Sequence, residues 1–291
     1  MSQRIIPSSE LIINEDNSVF HLHLRPEHLR DKIIVCGDRE RVDMIAKNFD
    51  TIDYNICNRE YHSIAGTYKG KRILALSHGI GPGTIDIMMP ELDALANIDF
   101  ALRSERAEHR TLEIVRVGTS GGLQPYVPLG SFVMSTKSIG FDGILNFYAD
   151  RNKVADLEFE KAFTEYVGWN PLCARPYVVD SDPDLIKRIG GDDMIHGNTI
   201  ASVGFYGPQG REVRLALAAP ELNDRIESFE FNGRKITNYE MESAPLQGLA
   251  ALLGHKALTV CCIAAQRVAL EANTNYKDSM SDLIRTVLDR I

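Results

Sequence analysis

The feature that most constrains this chain is a recurring order of local patterns, in which a short apolar segment leads through a turn into a helical pattern. Residues 33–36 are typical of a buried strand, and Asp38 can cap a following helix whose apolar positions recur at helical spacing between residues 42 and 49. Residues 72–77 repeat this order and run through the glycines of residues 79–83 into a second helical pattern. Strands that alternate with helices predict an α/β fold with a mostly parallel central sheet covered on both faces.

Further segments extend this pattern along the whole chain. Residues 61–68 and 72–77 flank Lys69 and Gly70, which predicts a hairpin. Apolar segments predict more strands at residues 112–117, 131–135, 199–203, 236–239 and 257–263, and periodicity predicts helices at residues 159–167, 244–253 and 280–291. No linker, low-complexity tract or fixed-period repeat divides the chain. We therefore expect one domain over residues 1–291, with ligands at the carboxyl ends of its strands.

The charge of the chain argues against several classes of partner. It has 32 Lys and Arg residues against 40 Asp and Glu residues, a formal net charge of −8. A protein that coats a nucleic acid or an anionic membrane needs a basic surface, so we expect neither as a partner. Any anionic ligand must instead be held by a local cluster of arginines.

Cysteine usage and the N-terminal residues indicate a cytoplasmic protein. The five cysteines are an odd number without C-x-x-C spacing, which fits reduced thiols. The first residues predict neither a signal peptide nor a transit peptide. No apolar run approaches the roughly 18 residues that a membrane span requires.

Arginines and glycines occur together in three segments at predicted strand ends. These segments are residues 37–41 (Gly-Asp-Arg-Glu-Arg), 58–60 (Asn-Arg-Glu) and 116–119 (Arg-Val-Gly-Thr). Glycine lets backbone N–H groups approach an anion, and a guanidinium presents a planar fork that matches phosphate oxygens. Together they contain the parts of an oxyanion site, although each one alone is also typical of a turn glycine beside a surface arginine.

The glycines of residues 79–83 match a dinucleotide-binding fingerprint only in part. Thr84 stands where the third glycine of that motif belongs, and Arg103 and Ser104 follow where an acidic ribose ligand would lie. The pattern therefore argues against a nicotinamide cofactor.

Two polar segments are candidates for binding a sugar and a base. Residues 238–244 (Asn-Tyr-Glu-Met-Glu-Ser-Ala) place Glu242 at a strand-to-helix junction, where its carboxylate can accept hydrogen bonds from two vicinal hydroxyls while Met241 packs below the sugar. Residues 205–211 (Phe-Tyr-Gly-Pro-Gln-Gly-Arg) combine an aromatic ring, which can stack on a base, with an amide and a guanidinium that can read its polar edge. The alternatives are an acidic helix cap and an ordinary loop.

Taken in order, these segments resemble the motifs of uridine phosphorylases within the nucleoside phosphorylase superfamily. The resemblance extends from Phe20 to Arg267, most of the chain. Its Glu-Met-Glu element is shared across the superfamily, whereas the Gln-x-Arg loop is the pyrimidine-reading feature. Purine-cleaving relatives carry an aspartate near the end of the strand predicted at residues 257–263, and residues 264–267 (Ala-Ala-Gln-Arg) offer none.

The resemblance implies a partly barrel-like sheet and a site with three parts. It implies a phosphate site formed by Gly37, Arg41, Arg116 and Thr119, completed by Arg59 of a neighbouring subunit. It implies a ribose site formed by Glu240, Met241 and Glu242, with His21 of the neighbouring subunit at the 5′-hydroxyl. It implies a base site formed by Phe205, Gln209 and Arg211.

The resemblance also implies the reaction, which is the phosphorolysis of uridine, with deoxyuridine as a further candidate substrate. The predicted catalytic residues are Arg116, Gln209, Arg211 and Glu242. Inorganic phosphate is a co-substrate, and no organic cofactor or catalytic metal is expected. Glu60 and Thr84 resemble positions that hold a structural cation such as potassium between subunits. Sites shared between subunits imply dimers or a hexamer built from dimers.

Several alternatives stay open at this point. A purine nucleoside phosphorylase or a hydrolytic nucleosidase would share the fold, and a non-catalytic nucleoside-binding or storage protein would keep the fold without the activity. The sequence also departs from the motifs at Arg39, where proline is usual, and at residues 81–83, where Gly-Pro-Gly replaces a glycine pair and proline. Residues 102–110 form a charged insertion.

Overall fold

The computed structural model describes residues 4–267 and 276–291, together with the backbone of residues 271–272. The strands are β1 (Lys32–Cys36), β2 (Thr51–Asn58), β3 (Tyr61–Tyr68), β4 (Lys71–Ser77), β5 (Ile98–Asp99), β6 (Ser104–Glu105), β7 (Glu113–Gly122), β8 (Phe132–Gly140), β9 (Tyr177–Asp180), β10 (Met194–Ala201), β11 (Glu230–Phe231), β12 (Arg234–Glu240), β13 (Lys256–Gln266) and β14 (Glu271–Ala272). The helices are α1 (Arg39–Ala46), α2 (Pro82–Asn97), α3 (Leu157–Val167), α4 (Pro183–Ile189), α5 (Leu222–Ser228), α6 (Ser243–Leu252) and α7 (Lys277–Arg290).

Most of the strands belong to one mixed sheet that contains two parallel runs. In the first run β1 lies between β4 and β7, and β7 also pairs with β13. In the second run β10 lies between β8 and β12. Antiparallel pairing of β13 with β8 and of β12 with β7 joins the two runs, so that β7, β13, β8, β10 and β12 close into a barrel. The predicted α/β fold with a partly barrel-like sheet is confirmed.

Helices cover both faces of the sheet, as the periodicity predicts. Ile33 and Val35 of β1 belong to a buried cluster with apolar residues of α2 and α6. Ile34 and Cys36 belong to a second cluster with residues of α1, α4 and α7. Because successive strand residues point to opposite faces, the two clusters lie on opposite sides of the sheet. In the described part of the chain, no helix combines the length and apolar character needed to span a membrane.

Three barrel strands are longer than the apolar segments that predict them. The sequence predicts an end at residue 117, but β7 continues to Gly122, because its glycines remain paired with β13 and, at Gly121 and Gly122, with β12. Similarly, β8 continues past residue 135 to Gly140, and β10 begins at Met194, before the predicted start at residue 199. These two extensions meet at Thr136, whose hydroxyl donates to the Gly197 carbonyl oxygen at 3.1 Å. Polar groups that satisfy each other inside a barrel do not produce an apolar run, so these segments of strand are missed.

The hairpin between β3 and β4 is confirmed, whereas its neighbour β2 is not predicted by the sequence. Lys69 and Gly70 have φ angles of 48° and 79°, which suits a tight two-residue turn. Among the described strands β2 pairs only with β3, at the edge of the sheet, and five of its eight residues are exposed. An edge strand of this kind has too little apolar character to be recognised.

The charged insertion at residues 102–110 fastens the N-terminal segment to the domain. It continues a small hairpin of β5 and β6. Arg103 donates from Nε to the carbonyl oxygen of Ile6 at 2.8 Å and from Nη2 to that of Leu11 at 2.5 Å, and the Ile6 backbone N–H donates back to Arg103 at 2.7 Å. The insertion therefore supports the segment that leads to His21.

Candidate active site

A cavity of about 960 Å³ opens at the carboxyl ends of β1, β7, β12 and β13. This is the edge at which α/β sheets bind ligands. The structure brings to its wall these predicted site residues: Gly37, Arg41, Arg116, Thr119, Phe205, Gln209, Arg211, Glu240, Met241 and Glu242. The candidate phosphate, ribose and base residues, which lie far apart in the sequence, therefore meet in one place.

The turn between β1 and α1 holds a buried cation at one end of the cavity. The Asp38 carboxylate accepts a hydrogen bond from the backbone N–H of Glu40 at 2.9 Å and caps α1. Arg41 follows in the first turn of the helix, is only 6% exposed and donates to the Val117 carbonyl oxygen at 3.3 Å. None of the ion pairs among the described residues includes Arg41. A buried guanidinium without a counter-charge is costly unless an anion binds beside it.

Arg116 lies between two carboxylates. Its guanidinium forms ion pairs with Glu240 at 2.9 Å and with Glu242, and its Nε donates to Nε2 of His78 at 3.3 Å. Its Nη1 also lies 3.6 Å from Sγ of Cys261. Hydrogen bonds to His78, Cys261 and Glu242 use three of the five N–H donors of the guanidinium, so donors remain for an anion. The sequence predicts Arg116 as a phosphate ligand, and the structure also places it against Glu242, which the sequence predicts as a ribose ligand.

Burial and charge set the protonation of this cluster. Burial disfavours the charged form of Arg116, but Glu242 and Glu240 outweigh it and raise the pKa of the guanidinium. Burial raises the pKa of Glu242, which Arg116 opposes and Glu240 reinforces. For His78, burial and then Arg116 hold the pKa well below its ordinary value, so the ring is neutral and accepts the Nε–H of Arg116.

The close approach of Arg116 depends on a glycine in β7. A Cβ atom added to Gly118 would lie 2.6 Å from Nη1 of Arg116. Any side chain at this position would therefore displace the guanidinium from its carboxylate partners. Gly118, which the sequence predicts to be part of an anion-binding turn, therefore also makes room for Arg116.

The two glutamates of the Glu-Met-Glu element have different roles. Glu240 accepts hydrogen bonds from the backbone N–H groups of Glu242 at 2.8 Å and Ser243 at 3.0 Å, and from the Ser243 hydroxyl at 2.5 Å, so it holds the start of α6. Glu242 accepts from the Gly81 backbone N–H at 2.6 Å and keeps further lone pairs for a ligand. Glu240 therefore acts as the helix cap that was the alternative interpretation, and its contacts give no support to a ribose-binding role. Glu242 is the carboxylate whose position suits two vicinal hydroxyls.

In the loop after β10, Arg211 stacks on Phe205. The guanidinium carbon lies 3.9 Å from the ring centre, and Nη1 donates to the Phe205 carbonyl oxygen at 2.6 Å and to Oε1 of Gln209 at 2.5 Å. This contact orients the amide so that its NH₂ group is free to face a ligand. Burial lowers the pKa of Arg211 to about 10, and Arg267 adds to this effect. One face of the ring that the sequence predicts to stack on a base is therefore covered by Arg211.

Arg267 and His78 are two residues of this site that sequence reasoning missed. The guanidinium of Arg267 lies 5.3 Å from the centre of the Tyr239 ring, and its Nη1 is buried without a hydrogen-bond partner. A buried unpaired donor calls for an acceptor, and a ligand carbonyl would supply one. Only their position in the sequence could have identified these two residues, because Arg267 directly follows β13 and His78 directly follows β4.

Two predicted residues lie outside the cavity of their own chain. Nδ1 of His21 lies 2.6 Å from Oε1 of Glu91, and the guanidinium carbon of Arg59 lies 5.3 Å from the centre of the Phe20 ring. Nδ2 of Asn58 donates to the His21 carbonyl oxygen at 2.8 Å, so the N-terminal segment and the turn after β2 share one surface. Arg59 has a φ of 53°, a conformation that non-glycine residues rarely adopt. Neither side chain lines the cavity of this chain.

Glu60 and Thr84, the candidate cation ligands, lie on either side of one glycine. A Cβ added to Gly79 would be 3.4 Å from the Glu60 side chain and 3.7 Å from the Thr84 methyl group. The Thr84 hydroxyl donates to the Gly81 carbonyl oxygen at 2.9 Å and keeps its lone pairs. A carboxylate and a hydroxyl supply the oxygen ligands that hard cations prefer, so the pair fits the predicted group.

A second polar cluster, formed by Asp93, His109 and His255, is a hydrogen-bond network. Its candidate ligand atoms lie within 4.8 Å of one another. The Leu112 backbone N–H donates to Nδ1 of His255 at 3.1 Å, so Nε2 carries the proton and donates to Asp93 at 3.1 Å. A metal would need that nitrogen unprotonated. Nε2 of His109 in turn contacts the Leu253 carbonyl oxygen at 3.0 Å. The cluster thus holds the end of the charged insertion at residues 102–110 against the end of α6.

Comparison with known proteins gives consistent matches over nearly the whole chain. A family model described as the phosphorylase superfamily matches residues 31–289. The uridine phosphorylase of Thermococcus kodakarensis is 28% identical over 272 residues, which cover 91% of this chain and 83% of the relative. A nucleoside phosphorylase of Trypanosoma brucei that shows uridine phosphorylase activity superposes with a TM-score of 0.87 at 26% identity, covering 96% of this chain and 98% of that one. A purine nucleoside phosphorylase of Toxoplasma gondii has the same fold, with a TM-score of 0.63, 19% identity and coverage of 93% and 94%.

Proposed function

Because the chain belongs to the phosphorylase superfamily, we propose that it is a uridine phosphorylase, which transfers the ribosyl group of uridine to inorganic phosphate and releases uracil. The relatives from Thermococcus and Trypanosoma support this substrate, since the first is a uridine phosphorylase and the second shows uridine phosphorylase activity. Deoxyuridine is a second candidate substrate, because Glu242 can still accept a hydrogen bond from its 3′-hydroxyl.

The observation that carries the proposal is a set of guanidinium groups at the cavity that form no ion pair among the described residues. Arg41 and Arg211 line the cavity, Arg267 lies against its wall residue Tyr239, and none of the three forms an ion pair among the described residues. Phosphorolysis brings two anions to such a site, the phosphate nucleophile and the departing uracil. Preorganised cations in a water-poor site stabilise charge that develops in a transition state.

Each step of the reaction has a residue suited to it. A phosphate oxygen held by Arg41 and Arg116 forms a bond to C1′ as the bond from C1′ to N1 of uracil breaks. Glu242 accepts hydrogen bonds from the ribose hydroxyls and holds C1′ near the phosphate, which makes the encounter effectively unimolecular. The electron pair of the broken bond passes to the base, where Arg211 and Gln209 bind the uracil oxygens and Arg267 offers its unpaired N–H.

The wall of the cavity also argues against the purine and hydrolytic alternatives. Ala264 and Ala265 line it where purine-cleaving relatives carry an aspartate that protonates the leaving base. The likeness to the purine enzyme of Toxoplasma is a likeness of fold alone. A hydrolase would have no use for the buried Arg41, because water needs no counter-charge.

The assembly and its ions follow from the same proposal. Arg59 and His21 act in the cavity of a neighbouring subunit, so the active unit is a dimer, alone or within a hexamer built from dimers. A potassium ion held near Glu60 and Thr84 supports that interface and takes no part in the chemistry. The enzyme acts in the cytoplasm, without a nucleic-acid or membrane partner and without an organic cofactor.

A substrate panel tests the proposal. With phosphate present, we expect uracil to form from uridine, and hypoxanthine to form from inosine at least about 100-fold more slowly, because a site that hydrogen-bonds one base edge rejects a mismatched one strongly. Base release followed by chromatography measures both rates. Inosine cleavage at the rate of uridine cleavage would show that the enzyme is a purine phosphorylase or does not discriminate between the bases.

Variants of the base loop separate the two ends of the site. We expect Gln209→Ala and Arg211→Ala each to lower kcat/KM for uridine by about 10²-fold while the dissociation constant for phosphate changes by less than about threefold, since neither residue faces the anion. Steady-state kinetics and calorimetric phosphate titration measure the two effects. If both variants also lose phosphate affinity, this division of the cavity is wrong.

A further inference from the structure

Glu91 is a buried carboxylate to which the proposed reaction assigns no role. It lies in α2 directly after Pro90 and is 9% exposed. Its Oε1 accepts a hydrogen bond from the backbone N–H of His21 at 3.0 Å, and its Oε2 accepts one from that of Leu22 at 2.8 Å. Nδ1 of the His21 ring lies 2.6 Å from Oε1. One carboxylate thus holds both the backbone and the ring of His21.

The contact with Nδ1 determines which nitrogen of His21 carries the proton. A carboxylate only accepts hydrogen bonds, so Nδ1 must be protonated to make a contact of 2.6 Å. In the neutral ring Nε2 then carries a lone pair and accepts a hydrogen bond from outside. This is the arrangement by which carboxylates orient functional histidines in many sites.

Other contacts leave the ring little freedom except at its outer edge. Asn58 holds the His21 carbonyl oxygen at 2.8 Å, and the Phe20 ring packs edge-on at 4.9 Å between ring centres. The His21 side chain is 28% exposed, so Glu91 fixes its inner nitrogen while the outer part of the ring faces solvent. A side chain held this firmly is preorganised for a partner that the chain itself does not supply.

We propose that Glu91 is a positioning residue, which sets the His21 ring with its proton on Nδ1 so that Nε2 accepts a hydrogen bond from the 5′-hydroxyl of a nucleoside in the neighbouring cavity. The inference rests on the proposed function for the identity of that ligand. It extends that function by assigning recognition of the nucleoside 5′-hydroxyl to His21 and Glu91 together. Only His21 touches the substrate.

The isosteric variant Glu91→Gln reverses the hydrogen-bond polarity at Nδ1. If the amide oxygen keeps the Leu22 contact, its NH₂ group faces Nδ1 and favours the ring with its proton on Nε2. We expect kcat/KM for uridine to fall about tenfold, the scale of one lost hydrogen bond. For 5′-deoxyuridine, which lacks the hydroxyl, kcat/KM should stay within about twofold.

Two controls isolate the effect. Glu165→Gln makes the same chemical change at an exposed position of α3 and should leave both substrates unaffected. In a His21→Ala background, Glu91→Gln should cause no further loss with uridine, because the two residues act through one contact. An equal loss with both substrates, or a full further loss in the His21→Ala background, would show that Glu91 only stabilises the fold.

A second readout does not depend on activity. The ¹⁵N spectrum of histidine-labelled protein, with His21 assigned by its absence in His21→Ala, should show Nδ1 protonated in the wild type and Nε2 protonated in Glu91→Gln. Wild-type protein with Nε2 protonated would overturn the inference, whatever the substrate. Failure to cleave uridine together with the expected spectrum would instead refute the proposed function and leave the hold of Glu91 on His21 intact.

Discussion

We expect Arg116→Lys to lower kcat/KM for uridine by about 100-fold or more in a protein that remains folded. Lysine keeps the positive charge that neutralises Glu240 and Glu242. It lacks the planar fork that contacts both carboxylates and the His78 ring at once, so neither Glu242 nor the phosphate is held in place. Loss of one such donor typically costs about 10²-fold to 10³-fold in turnover.

The variant Arg116→Ala distinguishes catalysis from stability. Alanine leaves two buried carboxylates without a counter-charge, and removing one partner of a buried ion pair costs about 3–5 kcal/mol. We therefore expect Arg116→Ala to melt at a clearly lower temperature than Arg116→Lys, as followed by circular dichroism. Wild-type kinetics in Arg116→Lys would remove this arginine from the site, whatever its effect on stability.

Mixing two inactive variants should restore activity. In a dimer of one Arg59→Ala chain and one Arg116→Lys chain, both changes fall in the same cavity, because Arg59 acts in its partner's cavity while Arg116 acts in its own. The second cavity is then intact. Random re-pairing after mild dissociation makes half of the dimers mixed, so about a quarter of wild-type activity should return.

Subunit exchange must be shown independently for this test to decide. Differently tagged chains that co-purify after mixing demonstrate exchange, and mixing two batches of the same variant provides the control. Chains that exchange and stay inactive would show that Arg59 acts within its own chain or has no role. The placement of Arg59 against Phe20, outside its own cavity, is the reason to expect the opposite result.

The features of the fold that the sequence predicts correctly are those that depend on residues close together in the chain. The turn at Lys69 and Gly70, the cap of α1 by Asp38 and the periodic helices depend on neighbouring residues, and the structure confirms them. The candidate groups for phosphate, ribose and base were also recognisable, because each is a short continuous segment of the sequence. Their common position follows from the parallel strands, whose carboxyl ends meet at one edge.

Contacts between distant residues were not predictable from local patterns. The ion pair of Arg116 with Glu242 joins residues far apart in the chain, and no periodicity indicates that two carboxylates flank this guanidinium. The barrel strands lost their apolar signal where Thr136 of β8 meets Gly197 of β10. Arg267 looked like an ordinary residue at a strand end until the structure showed its buried, unpaired Nη1.

The measurement that tests the central claim most directly is the fate of the ribose with and without phosphate. Uridine is incubated with the enzyme in phosphate buffer and in phosphate-free buffer, and the sugar product is identified by ³¹P and ¹H NMR. A site with a buried, uncompensated Arg41 needs its anion, so we expect uracil and ribose 1-phosphate in equal amounts with phosphate and no uracil without it. Free ribose forming at the same rate in both buffers would contradict the account.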